Sequence, residues 1–167
     1  GQSPEALAAV RAAGERDFGE SRVQEASRHW PEPPQGVALH LIGPLQTNKL
    51  KPALALFGAI HTLDRERLAR ALKAAQDEGA QLPELFVEVN IGSEPQKAGI
   101  APEEAEKFLD LCRGELRLPV TGLMCLPPAG VEPAPYFALL REMARRLGLA
   151  RLSMGMSADF ETAIAFG

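Results

Sequence analysis

Residues 83–126 read PELFVEVNIGSEPQKAGIAPEEAEKFLDLCRGELRLPVTGLMCL, and they decide the fold class. Pro83 introduces the run from Leu85 to Ile91, in which Leu85, Phe86, Val87, Val89 and Ile91 place apolar side chains on both faces. Such a run marks a strand buried on both sides, as in a parallel sheet. Pro102 then opens a helix with Ala105, Phe108, Leu109 and Cys112 at i, i+3, i+4 and i+7. Val120 to Leu126 is a second apolar strand, closed by Pro127-Pro128. Strand, helix, strand at this spacing is a βαβ unit, whose two strands run parallel.

The pattern repeats outward in both directions. Residues 4–13 read as a helix capped by Ser3, with Pro4 at its first position and Gly14 as its stop. Asp17-Phe18-Gly19 fits a short buried strand, and residues 22–29 fit a helix ended by the Pro31–Pro34 cluster. Val37–Ile42 and Ala59–Leu63 are further strands, with helices over Asn48–Phe57 and after Asp64, which is placed to cap. Beyond the deciding stretch, Phe137, Leu140, Ala144 and Leu147 mark a helix, Arg151–Met154 a strand, and Ser157–Phe166 a last helix. Six strands are therefore expected, near residues 18, 40, 61, 88, 123 and 152. The fold class is α/β. The unit length is compatible with a (β/α)₈ TIM-type barrel, and periodicity alone leaves a doubly wound sheet open. A βα chain should open on a strand, yet this one opens on a helix and stops where another strand is due. Residues 1–167 are expected to be a single barrel domain seen without its first and last strands.

Composition narrows the function classes. The chain has 167 residues, 46% hydrophobic, with a net charge of −4. A general affinity for nucleic acid or anionic membranes needs a basic surface, so neither is expected as a partner. No run has the length of a membrane span and no basic-then-apolar leader opens the sequence. Cys112 and Cys125 have neither the number nor the spacing of a disulfide framework or a zinc site. They read as buried thiols in a cytoplasmic protein. His29, His40 and His61 have no metal-ligand spacing, and no Ser/His/Asp arrangement is legible.

In such barrels the chemistry sits at the C-terminal ends of the strands. There the most informative segment is Ser153-Met154-Gly155-Met156-Ser157, between a strand and a helix. Its glycine allows close backbone approach to an anion, its serines offer hydroxyls, and a helix N-terminus follows. The structural alternative is that Ser157 only caps the helix, with Asp159 and Glu161 favouring its dipole. Gly43-Pro44-Leu45-Gln46-Thr47-Asn48-Lys49 is a second polar loop, where Asn48 either caps a helix or meets a ligand. Asn90, late in an apolar strand, needs a partner on a neighbouring strand or on a ligand. Lys97, on the following loop, is either solvated or close enough to pair with a phosphate or attack an aldehyde. Of the strand-end groups, Glu20, His40 and Glu88 could supply general acid/base chemistry.

These segments resemble a known family. Phe18-Gly19-Glu20-Ser21-Arg22-Val23-Gln24-Glu25, His40 through Lys49, Val89-Asn90-Ile91 with Glu94, Lys97, Gly99 and Ile100, Gly122-Leu123-Met124 with Pro127, and Leu152 through Glu161 with Ala163-Ile164 match the pyridoxal phosphate homeostasis family in order. The matches span nearly the whole chain. The resemblance implies a barrel like the N-terminal domain of bacterial alanine racemases, binding pyridoxal 5′-phosphate (PLP) through a Schiff base. It implies buffering or delivery of PLP to PLP-dependent apoenzymes, without efficient turnover, by a protein that is not an enzyme; the acidic balance and the lack of a clear apolar patch point to a monomer. On that resemblance Ser153, Met154, Gly155 and Ser157 hold the phosphate, and His40, Asn48, Asn90 and Met124 line the mouth. The family's lysine segment would fall before Gly1 and its second phosphate segment after Gly167. Ser21 stands where the family usually has Asn.

Two further readings remain. A PLP-dependent amino-acid racemase would need a second base, commonly a tyrosine, and Tyr136 lies before a helix, away from the strand ends. A phosphate-ligand barrel enzyme without PLP would need an acid/base pair from the strand ends. A pure interaction module leaves the polar strand ends unexplained.

Overall fold

The computed structural model describes residues 2–167. In chain order the elements are α1 (Pro4–Ala12), β1 (Asp17–Glu20), α2 (Val23–His29), β2 (Ala38–Leu41), α3 (Leu50–Leu56), β3 (Ala59–Leu63), α4 (Glu66–Asp77), β4 (Glu84–Val89), α5 (Ala105–Asp110), β5 (Val120–Cys125), α6 (Ala134–Arg146), β6 (Arg151–Ser153) and α7 (Phe160–Phe166). Tight turns at Thr47–Lys49 and Pro102–Glu104 lead into α3 and α5, and a wider turn at Leu111–Glu115 ends α5. The expected alternation is present throughout: β3 has the expected bounds, β1 runs on to Glu20, and β2, β4, β5 and β6 end one or two residues before their apolar runs do.

The strands form one parallel sheet in the order β1-β2-β3-β4-β5-β6. A doubly wound sheet reverses its direction of travel at a switch point, and this sheet does not. Right-handed crossovers that always advance the same way put their helices on one face. The packing agrees. Phe18, Leu39, Leu41, Ile60, Val87, Leu123 and Cys125 share a core with the helix residues Leu68, Leu72, Phe108 and Phe137. Phe137 and Leu140 are fully buried there, each contributing about 1.5–3 kcal/mol by leaving water. The opposite face carries its own small cluster of Ala59, Phe86 and Met124.

That second face is concave. The side chain of Ser153, on β6, lies 2.7 Å from that of His61, on β3. Three strand spacings in a flat sheet would separate their backbones by about 14 Å, so the sheet curls into a half-barrel.

The cap expected at Asp64 and the alternative cap at Ser157 both fail. Asp64 pairs with the guanidinium of its neighbour Arg65 instead of capping α4, whose N-cap position is Arg65. The last helix begins at Phe160 with Asp159 at the N-cap position, so Ser157 sits in the preceding turn and caps nothing. Tyr136 lies inside the first turn of α6 rather than before it. Among the described residues, no helix is long and apolar enough to cross a membrane.

Candidate functional site on the concave face

Strand alternation decides which side chains reach the concave face. On β1, Phe18 and Glu20 turn toward the helices, where Phe18 packs on Trp30 with centroids 4.8 Å apart. Glu20 Oε1 accepts the Trp30 indole N–H at 3.0 Å and lies 2.8 Å from His29 Nδ1. This carboxylate is thereby committed to the helical layer and leaves the list of mouth acids. Asp17 takes the other side. On β2 and β3, His40 and His61 join the concave face, as do Phe86 and Glu88 on β4, Met124 on β5, and Arg151 and Ser153 on β6.

These residues meet. His40 Nδ1 lies 2.9 Å from His61 Nε2, and His61 Nδ1 lies 2.7 Å from Ser153 Oγ. At the outer end, Asp17 Oδ1 is 3.3 Å from His40 Nε2. The His61 ring stacks on Phe86 at 4.3 Å with planes 7° apart. Met124 is buried in the cluster that includes Phe86. Burial, with lesser contributions from His40 and Arg151, lowers the His61 pKa to about 4, so its ring is neutral near pH 7. Burial, helped by Asp64, raises Glu88 to about 7. Arg151 is ion-paired with Glu84 below.

The β6–α7 loop begins at Ser153. Gly155 has φ +94, and a Cβ there would lie 2.8 Å from Ala163 Cβ and 3.3 Å from Phe160 Cα. The loop thus folds onto the start of α7 as only glycine permits. Asp159 Oδ1 accepts the Met156 N–H at 2.5 Å, so that amide is already used. Met154 packs into the main core with its side chain, leaving its backbone to the loop. Ser157 is exposed. An anion here would be met by hydroxyls and the backbone around Gly155, not by a helix end adjoining Ser157.

The other expected residues divide. The β2–α3 loop is pinned by Thr62 Oγ1, which donates to Gly43 O at 2.8 Å, and by Arg65, which donates to Leu45 O at 2.7 Å. Gly43 is needed because a Cβ would stand 2.2 Å from Ser21 O. Asn48 is exposed on this loop and lines a groove of about 780 Å³ between α3 and α4, so the structure does not bring it to the histidine cluster. Asn90 spends its amide on its own loop, donating to Glu94 O at 2.8 Å and accepting Glu94 N–H at 3.1 Å. It shapes the mouth rather than reaching into it. Lys97 pairs with Glu94 at 2.5 Å and donates to Pro127 O at 3.2 Å, tying two mouth loops together. Cys112 and Cys125 are buried thiols, pushed up to about 12 by desolvation.

Of the expected residues the structure brings His40, Met124 and Ser153 to this face, and His61, which the sequence reading excluded only as a metal ligand, joins them. A signal was available: two histidines near the ends of consecutive strands, both on the alternation that leaves the helical side. Phe86 and Arg151 were missed as well, although Arg151 stands two residues from Ser153 and so shares its face.

A serine-led, glycine-bent loop thus stands beside a neutral imidazole at the C-terminal rim of a parallel α/β half-barrel, the rim where barrels of this class carry their sites. Residues 2–166 match the alanine racemase N-terminal domain family, and the chain belongs to the pyridoxal phosphate homeostasis proteins of that family. It is 38% identical to the pyridoxal phosphate homeostasis protein of Pseudomonas aeruginosa over 96% of this chain and 74% of that protein. It superposes on PipY of Synechococcus elongatus without PLP at a TM-score of 0.90, with 34% identity, covering 99% of this chain and 83% of PipY. Against PipY with PLP bound the TM-score is 0.87, with 33% identity and coverage of 99% and 82%.

Proposed function

We propose that this protein binds PLP at the concave mouth and buffers or delivers it, without efficient turnover of a substrate. The observation that carries this reading is the Ser153 hydroxyl, set at the rim beside the neutral His61 and at the head of the Gly155 bend. The PLP-bound form of PipY, so similar in fold, and the name of the Pseudomonas relative support it. The donors fit a phosphate. The Ser153 hydroxyl, the backbone around Gly155 and the exposed Ser157 hydroxyl would hold it, with Met154 contributing backbone only. Asp159 opposes an anion and keeps the loop closed through Met156 N–H. His40 and Met124 would line the ring's side, Asn90 would hold the mouth loop in shape, and Asn48 would stay outside.

When bound, PLP supplies an aldehyde that condenses with a neutral amine. The lysine that would receive it belongs, on this reading, to a first strand preceding Gly1, with a last strand following Gly167. Among the described residues, β1 and β6 each have a strand neighbour on one side only, so two added strands would close an eight-stranded barrel. Residues 1–167 would then be most of a single barrel domain of a cytoplasmic monomer that gives PLP to apoenzymes.

The test is an absorbance spectrum of the full-length protein after PLP addition and desalting, then borohydride reduction and peptide mapping. A retained band and a pyridoxyl group on a lysine upstream of Gly1 are expected. A colourless, unmodified protein would overturn the reading. One observation favours a catalytic second reading: Glu88, with a pKa raised to about 7, can exchange protons at neutral pH. Racemisation of added L-alanine by the PLP-loaded protein would favour it, and no turnover is expected.

A further inference from the structure

The contacts on the concave face form one line: Asp17 Oδ1 to His40 Nε2 at 3.3 Å, His40 Nδ1 to His61 Nε2 at 2.9 Å, His61 Nδ1 to Ser153 Oγ at 2.7 Å. It runs from the solvent, where the Asp17 side chain is 70% exposed, to the serine at the head of the loop. Each imidazole bridges two neighbours through its two different nitrogens. The direction of every hydrogen bond is therefore fixed by the direction of the one before it.

With both rings neutral, the arrangement is determined from the Asp17 end. The Asp17 carboxylate, 3.3 Å from Nε2, draws the His40 hydrogen to that nitrogen by its charge, and bare Nδ1 then faces His61. His61 must then donate from Nε2, leaving its own Nδ1 bare. Ser153 fills that acceptor with its hydroxyl hydrogen. In this state the serine turns lone pairs toward the loop and has no hydrogen to offer an anion.

One added proton on His40 reverses the line. His40 then carries a hydrogen on both nitrogens, one facing the Asp17 carboxylate and one donated to His61. His61 becomes an acceptor at Nε2 and carries its single hydrogen on Nδ1, which donates to Ser153 Oγ. The serine hydrogen is released and can point at a phosphate oxygen. No atom moves beyond the exchange of hydrogens, and His61 is neutral in both states.

We propose that Asp17, His40 and His61 are positioning residues that switch Ser153 from acceptor to donor, so that phosphate binding and protonation of His40 are coupled. The inference rests on the reading that Ser153 holds the phosphate. The groups facing the line from each strand are few. Asp17 comes from β1, and Glu88, with Asp64 beyond it, from the β3–β4 side. Arg151, ion-paired to Glu84, comes from β6 and disfavours a second positive charge on His61. Buried His61 is the inner ring of the line, and His40, with 30% of its side chain exposed beside the Asp17 carboxylate, is the ring open to solvent.

The direct readout is the protonation pattern of the two rings. Long-range proton–nitrogen spectra of the ¹⁵N-labelled full-length protein separate the two tautomers. Without PLP, at alkaline pH, His61 should be bare at Nδ1. On saturation with PLP it should carry its hydrogen at Nδ1, with His40 protonated on both nitrogens. The tautomer change should vanish in Ser153→Ala at saturating PLP.

A second measurement uses His61→Phe, which keeps the stack on Phe86 but breaks the line. Wild-type affinity for PLP should fall with rising pH, relative to this variant, by up to about tenfold per pH unit, the limit for one coupled proton. If PLP saturates the wild type while the His61 tautomer stays put and the two pH profiles run parallel, the coupling is wrong. If the wild type takes up no PLP, the phosphate-site reading itself falls, and this inference with it.

Discussion

Replacing Glu88 by glutamine should change how stability depends on pH, in a direction the structure fixes. Burial on the concave face, with Asp64 nearby, raises this carboxyl from 4.5 to about 7. Between those values the native protein holds a proton that the unfolded chain has lost. Stability therefore falls as pH rises through this window, because the unfolded state binds fewer protons. A shift of that size corresponds to at most about 3.4 kcal/mol at 1.36 kcal/mol per pH unit. Glu88 is only half-buried, so solvent screening reduces this to about 1–2 kcal/mol. Glutamine keeps the shape and carries no charge at any pH. At pH 8 the Glu88→Gln variant should be more stable than wild type by about that amount, and at pH 4.5 the two should be nearly equal. Urea unfolding at both pH values, with m-values compared, measures this. A difference that is the same at pH 4.5 and pH 8 would refute the argument, because a merely structural effect of the amide does not follow the titration.

The acid side should behave in the opposite sense. His61 is held down at about 4 against an ordinary 6.5, so wild-type stability falls as pH drops from 6.5 toward 4, and His61→Phe should flatten that limb in the same unfolding series. Gly155→Ala forces a Cβ to within 2.8 Å of Ala163 at a positive φ. It should cost about 2–4 kcal/mol by urea unfolding and weaken PLP retention, since the bend itself must move. Phe137→Ala empties a fully buried core position between α6 and the sheet, and a loss of about 3–5 kcal/mol is expected by the same assay.

Much of the fold was legible because its signals are local. The run Leu85–Ile91, apolar on both faces, reads as a buried strand, and β4 spans Glu84–Val89. Pro4, Pro102 and Gly14 mark helix ends as their backbone restrictions require. Whether the sheet was singly or doubly wound was not legible, because that depends on which strands sit side by side, and periodicity is blind to neighbours. Capping was misjudged at Asp64, whose carboxylate the neighbouring Arg65 guanidinium takes, and the alternative cap at Ser157 lies two residues before the N-cap position at Asp159.

The site was legible in part. Ser153, His40 and Met124 stand where strand counting put them, whereas Asn48 lies in an outer groove because the Thr47–Lys49 turn carries it there. Asn90 was rightly seen to need a partner, but that partner is the backbone of Glu94, four residues on. The His40–His61–Ser153 line was invisible because it joins β2, β3 and β6, and only the curl of the sheet brings residues so far apart in sequence together.

The most direct test of the account is a crystal structure of the full-length protein soaked with PLP. The account predicts the phosphate within about 3 Å of Ser153 Oγ, at hydrogen-bond distance, against the Gly155 bend, with His40 and Met124 beside the ring. A phosphate seated elsewhere, for instance in the groove lined by Asn48 between α3 and α4, would contradict it.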